Sequence, residues 1–147
     1  MALPRVVPHP ACPGLHLRRL RPDDATAFHA AVTDPAVGRM LAVFPADWPL
    51  AKARELMAEH AAAESVPARV AVAAEDGQFL GSIARAGAGG DELSCFLTPE
   101  AQGQRIMRPA SEAFVAMVFA VSNLPTLRAS VYHVRPEQSV QAASGVR

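Results

Sequence analysis

The spacing of apolar residues changes period twice along the chain. Leu15, Leu17 and Leu20 mark a short first strand, with Arg18, Arg19 and Arg21 among them. Pro22-Asp23-Asp24 then opens a helix, since proline is tolerated in a first turn and carboxylates favour the positive end of the helix dipole. Ala25, Phe28, Ala31 and Val32 fall on one face of that helix. Asp34-Pro35 starts a second short helical piece, with Asp34 as cap and Pro35 in first position, and Val37, Met40 and Leu41 on its apolar side. After a break from Pro45 to Pro49, a longer helix is expected over 50–64, carrying Leu56, Met57 and His60.

From Arg69 the period becomes two. RVAVAA (69–74) places Val70 and Val72 on one strand face. Glu75-Asp76-Gly77-Gln78 is a hairpin-type turn, FLGSIA (79–84) a second strand, AGAGGD (86–91) a flexible turn, and ELSCFL (92–97) a third. A helical stripe follows at Met107, Ala110, Phe114, Met117 and Val121, read as core packing. A further strand is expected over 126–134. Separated from its predecessor by a helix, it should lie parallel to it through a right-handed crossover. A last helix is expected over 136–146.

These elements predict one mixed α/β (α+β) domain over 15–147, mainly antiparallel, behind a loose proline-rich arm at 1–14. Half of the 147 residues are apolar, which excludes a disordered chain. Fourteen basic residues balance fourteen acidic ones without a basic cluster, against a nucleic-acid module. No run reaches membrane-spanning length and prolines interrupt the N-terminus, so the expectation is a cytoplasmic protein with no membrane partner. Two cysteines give neither a disulfide framework nor metal spacing; Cys95 reads as a small buried strand residue, and His60 as a helix-surface residue rather than a ligand.

The stretch from Glu92 to Val121 carries the candidate chemistry: a strand, a polar loop with one glycine, and a long helix. A loop that opens a helix turns backbone N–H groups and a positive dipole end towards an anion. LHLRRLRPDDA (15–25) with DPAVGRML (34–41), GQFLGSI (77–83) and ELSCFLTPEAQGQ (92–104), in that order, resemble the GCN5-related N-acetyltransferases, on the branch that includes ribosomal-protein N-terminal acetyltransferases. The resemblance implies acetyl-CoA as co-substrate and an amine acceptor, a protein N-terminus or a small-molecule amine. It implies that Phe96, Leu97 and Thr98 face pantetheine, that Gly103, Gln104, Arg105, Ile106 and Met107 meet the pyrophosphate, and that Glu92 is the catalytic base.

The chain also departs from that family. Its loop pattern runs Gln or Arg, two residues, Gly, one residue, Gly or Ala; here those positions hold Glu100, Gly103 and Arg105. Pro109 obstructs a helix starting at Ile106 and suits one beginning near Arg108, with Pro109 in first position. Arg105 and Arg108 are candidates to pair with phosphate. The family's acidic tyrosine has no match in the last helix; Tyr132 and His133 lie on the preceding strand and read as strand and rim residues, and Ser139 as a helix-start cap. Gln138 replaces an expected Asn and the last two strands are missing, which would leave the strand at 126–134 as an exposed edge; a truncated chain, pairing of that edge with a second copy in a homodimer, and marginal stability are equal expectations. Trp48 lies near the expected rim of the acceptor site. A catalytically inactive or truncated remnant, binding acyl-CoA or a partner, is the alternative these departures favour.

Overall fold

The computed structural model describes residues 3–6, 10, 12–38, 40–41, 44–63 and 67–129. In chain order the elements are β1 (His16–Arg18), a 3-10 turn (Pro22–Asp24), α1 (Ala25–Thr33), α2 (Pro35–Gly38), α3 (Leu50–Ala62), β2 (Arg69–Ala73), β3 (Phe79–Ala86), β4 (Glu92–Leu97), a second 3-10 turn (Pro99–Ala101), α4 (Met107–Val121) and β5 (Arg128–Ala129). The five strands lie in the sheet in the order in which they occur in the chain. The first four pair antiparallel, and β5 joins β4 in parallel through Glu92↔Arg128 and Leu93↔Ala129. The parallel crossover is therefore as expected. Of the strand read over 126–134 only Arg128–Ala129 is described; Tyr132, His133, Gln138, Ser139 and the last helix lie outside the described residues.

The sheet separates two apolar layers. Leu17, Val70, Val72 and Ile83 face α4, where Ile106, Ala110, Phe114, Met117 and Val118 complete one cluster. Ala71, Phe79 and Phe96 face α1 and α3, packing on Phe28, Val32, Ala53 and Met57. After Arg69, β2 is buried on both faces and carries only small and β-branched residues. Leu3, Val6 and Cys12, in the stretch read as an arm, pack against the α4 cluster.

A bulge decides one face. Val72 pairs with Gly81 but Ala73 with Phe79, leaving Leu80 as the extra residue on β3. Strict alternation from Ser82 would turn Phe79 towards α4. The bulge sends Leu80 there instead and brings Phe79 under α1.

One charged pair is sealed inside the structure. All five N–H groups of the Arg18 guanidinium are used: two on the Asp24 carboxylate at 2.8 Å, two on the Gly77 carbonyl at 3.2 and 2.8 Å, and one on the Arg19 carbonyl at 3.0 Å. Asp24 also accepts the Arg21 N–H at 2.8 Å. This clamp joins β1, the turn that opens α1, and the β2–β3 hairpin.

Four boundaries and faces differ from the sequence expectation. The helix after Pro49 stops at Ala62, and β3 runs on to Ala86, shortening the glycine turn. Val121, the last residue of α4, is 39% exposed, while Val118 nearly one turn earlier is fully buried. Cys95, in the middle of β4, is exposed rather than buried.

Candidate active site

The loop between β4 and α4 is anchored at its root. Thr98 donates its backbone N–H to the Leu80 carbonyl at 2.8 Å, and the Gln102 side-chain amide donates to the Leu97 carbonyl at 3.2 Å. Beyond this the backbone alternates: Gly103 has φ +82° and Arg105 φ +60°, the only non-glycine residue with positive φ among those described. Alternation across a left-handed position turns successive N–H groups to one side and forms an anion-binding concavity. Among the described residues, no acceptor meets the N–H groups of Gly103, Gln104 or Arg105. A Cβ built on Gly103 would meet no atom within 4 Å, so the space before this peptide is open.

α4 begins at Met107, with Ile106 as its N-cap. Pro109 therefore occupies the third helical position, not the first. It is still harmless there. The first intrahelical bond runs from the Ala110 N–H to the Ile106 carbonyl at 3.4 Å, one residue after the missing donor. The positive end of α4 follows directly on the open N–H groups, an arrangement that suits an anion. The Arg105 side chain is exposed, whereas Arg108 is engaged with Glu112 at 3.2 Å.

The other residues expected at the cofactor occupy different surroundings. Ile106 is fully buried and ties the loop into the α4 cluster; Met107 and Leu97 are partly buried against the same cluster. Phe96 turns its ring inward, 5.3 Å from Phe28, so only its backbone is left for a ligand. Thr98, Gln104 and Ile106 line a cleft of about 490 Å³ between this loop and α1, together with Ala30, Asp34 and Gln78. Glu92 does not line it.

Glu92 is the first residue of β4, at the end of the strand away from the loop, about 17 Å from Leu97 by strand rise. Its side chain is 54% exposed and stands 4.0 Å from Arg128, which pairs more closely with Asp91 at 3.0 Å. Glu92 and Ser94 share the sheet face of Phe96, towards α1 and α3. On the same face, but centred on Phe96 and Phe79 nearer the loop end, lies an aromatic group that sequence reading only touched at Trp48. Phe28 makes ring contacts with Phe44, Trp48, Phe79 and Phe96 at 5.3–6.1 Å, and Trp48 stands edge-on to Phe44 at 4.7 Å. His29 Nε2 lies 2.7 Å from the Trp48 carbonyl and fixes that residue over α1. The Arg69 guanidinium rests over the rings of Phe28 and Phe44, at 5.4 and 5.9 Å. Local pattern gave no sign of Arg69. The alternation that turns Val70 and Val72 one way does, however, place Arg69 and Ala71 on the other face.

His60 is partly buried at the end of α3, and burial followed by the Arg69 charge lowers its pKa. Among the described residues no group of three His, Cys, Asp or Glu gathers for a metal, and no helix is long and apolar enough to cross a membrane.

A mainly antiparallel sheet thus ends in a loop of open N–H groups at the start of a helix. The family model described as the acetyltransferase (GNAT) domain matches residues 14–140, and the chain belongs to that family. Solved structures agree in fold. The spermidine N-acetyltransferase from Vibrio cholerae, in complex with CoA and spermine, superposes with a TM-score of 0.70 at 18% identity, over 89% of this chain and 78% of that one. An acetyltransferase (GNAT family) from Bacillus anthracis gives 0.64 at 17% identity, over 88% and 75%. A dodecameric structure of the Vibrio cholerae enzyme in an intermediate state gives 0.63 at 18%, over 89% and 77%. No curated protein matches the chain. The match reaches the family and does not extend to the ribosomal-protein branch.

Proposed function

We propose that this protein is an N-acetyltransferase that moves an acetyl group from acetyl-CoA to an amine. The observation that carries the reading is the run of unpartnered N–H groups at Gly103, Gln104 and Arg105, set at the end of β4 and the start of α4. These groups would hold the pyrophosphate, with the Arg105 guanidinium beside them. Ile106 and Met107 fix the loop against the core. The backbone at Phe96, Leu97 and Thr98 would run beside the pantetheine arm, as an added strand would. Acetyl-CoA supplies the activated thioester. Glu92, at the other end of the strand, would take the proton that the attacking amine must lose, directly or through one water.

The acceptor is an amine. A protein N-terminus follows from the sequence resemblance; a polyamine follows from the names of the structural neighbours. A homodimer belongs to the same reading and is tested by light scattering on the purified chain. The alternative, a module that binds acyl-CoA without transferring the acyl group, is favoured by one observation: the exposure of Glu92.

Two measurements decide. Acetyl-CoA should raise the melting temperature, by about 2.7 kcal/mol of stabilisation at a hundred times its Kd. With an accepted amine, Glu92→Gln should lower kcat by about a hundredfold or more while leaving acetyl-CoA affinity unchanged. Stabilisation by acetyl-CoA with no thiol release from any amine would favour the binding module. Unchanged turnover in the variant would remove Glu92 as base.

A further inference from the structure

Arg69 is a packed cation that no anion among the described residues meets. Its side chain makes one hydrogen bond, from Nη1 to the Ser82 hydroxyl at 3.2 Å, and that hydroxyl donates in turn to the Val70 carbonyl at 2.9 Å. No carboxylate among the described residues pairs with it. Its remaining support is the faces of Phe28 and Phe44, which hold a guanidinium while leaving its in-plane N–H donors unused. Burial pushes the group down to about 10, so it stays cationic at neutral pH. The residue nevertheless keeps a partly exposed surface. Arg18, the other packed guanidinium, spends all five donors inside the protein. Arg69 spends one. A cation that is packed, reachable and short of partners gains most from a ligand oxygen pair.

Its position relative to Glu92 says which ligand. Arg69, Ala84 and Ser94 form one row across the sheet, and Ala86 and Glu92 lie in the next row of the same face. Strand spacing sets the Cα atoms of Arg69 and Glu92 about 12 Å apart. The residues between them, Ala84, Ala86 and Ser94, are small; Ala84 is buried, and Ala86 and Ser94 are partly exposed. Resting on the acetyl-transfer reading above, we infer that Arg69 is an acceptor-binding residue for a carboxylate, and that the acceptor is an amine bearing a carboxylate, of amino-acid or dipeptide size. Its amine would lie towards Glu92 and its carboxylate in the fork of Arg69. A polyamine, cationic along its length, would meet repulsion there.

Trp48 offers a direct readout. It is the only tryptophan in the chain, and its ring contacts Phe28 and Phe44, the two rings that carry Arg69. Its fluorescence should be titrated with alanyl-alanine, with alanyl-alanine amide and with spermidine, in the wild type, Arg69→Met and Arg69→Lys. The free acid should bind at least tenfold more tightly than the amide or spermidine in the wild type. Arg69→Met should bring acid and amide within twofold of each other. Should that variant not fold, Arg69→Lys, which keeps the charge without the fork, should lose several-fold of the preference. Equal binding of acid and amide, no titration by the acid, tighter binding of spermidine, or a preference that survives Arg69 replacement would each overturn the inference. Thiol release from acetyl-CoA, followed in the same samples, separates the two readings. A binding preference without thiol release leaves the carboxylate subsite standing and removes acetyl transfer. Thiol release equal for acid and amide does the reverse.

Discussion

The clamp between Arg18 and Asp24 offers a sharp test of how this fold is held. Asp24→Ala removes the two charge-assisted bonds to the guanidinium and the one from the Arg21 N–H, in a place where water cannot replace them. Removing one partner of a buried pair costs about 3–5 kcal/mol, mostly through the charge left behind. The Arg21 N–H also loses its acceptor at the start of the turn, so the upper half of that range is expected. With a urea slope of about 1–3 kcal/mol per molar, the unfolding midpoint should fall by more than about 1 M. In Arg18→Met/Asp24→Leu no buried charge remains, and this double variant should be more stable than Asp24→Ala alone. It should stay below the wild type, because the Gly77 and Arg19 carbonyls lose their donors. Urea denaturation of the three proteins at one pH measures both differences. A loss below about 1 kcal/mol in Asp24→Ala, or a double variant less stable than the single one, would show that the pair does not hold these segments together.

Three further outcomes follow from single residues. A Cβ on Gly81 would overlap the Phe96 carbonyl oxygen and press on the Leu97 Cα at 3.0 Å; Gly81→Ala should cost about 2 kcal/mol or more, seen as a fall in melting temperature, and an unshifted melt would contradict the close β3–β4 approach. Arg105 holds a left-handed backbone that costs a non-glycine residue about 1–2 kcal/mol, partly offset by the greater freedom of glycine when unfolded; Arg105→Gly should raise the melting temperature by a few degrees, and a lower one would mean that the side chain contributes to the fold. His60 has its folded pKa lowered, first by burial and then by Arg69, so the unfolded chain binds the extra proton first as pH falls. Its contribution is intact above 6.5 and is lost as pH drops towards the folded value. His60→Gln should flatten the decline of the urea midpoint in that window, and an unchanged slope would assign the decline to other groups.

The fold was legible wherever one short period ruled a segment. Alternation at Val70 and Val72 and the turn at Gly77 located the hairpin; the apolar stripe located α4; the order of elements required β5 to be parallel. Faces were legible only where alternation held. The Leu80 bulge reverses Phe79, and nothing in FLGSIA marks an extra residue. The turn that opens α4 was legible from its single glycine and the helix after it. The left-handed Arg105 was not, since arginine carries no preference for that conformation. Arg69 escaped for a different reason. A lone arginine opening a strand looks like a solvated flank, and its surroundings come from Phe28 and Phe44, distant in the chain and close only in the fold. The same holds for Arg18 and Asp24, read separately as a strand residue and a dipole carboxylate.

The order of strands in the sheet also sets an order of assembly. β2, β3 and β4 are joined by gaps of about 5 residues, whereas β1 reaches β2 only after about 50 residues of helix and loop, a closure that costs about 2 kcal/mol more in chain entropy. The three-strand meander can therefore form as a local unit, and β1 docks on it as a late event. The Gly77 carbonyl that receives Arg18 belongs to the meander's own first turn. The hairpin thus presents the receptor for the first strand before that strand arrives, and the most distant pairing in the sheet is fastened by its most local turn.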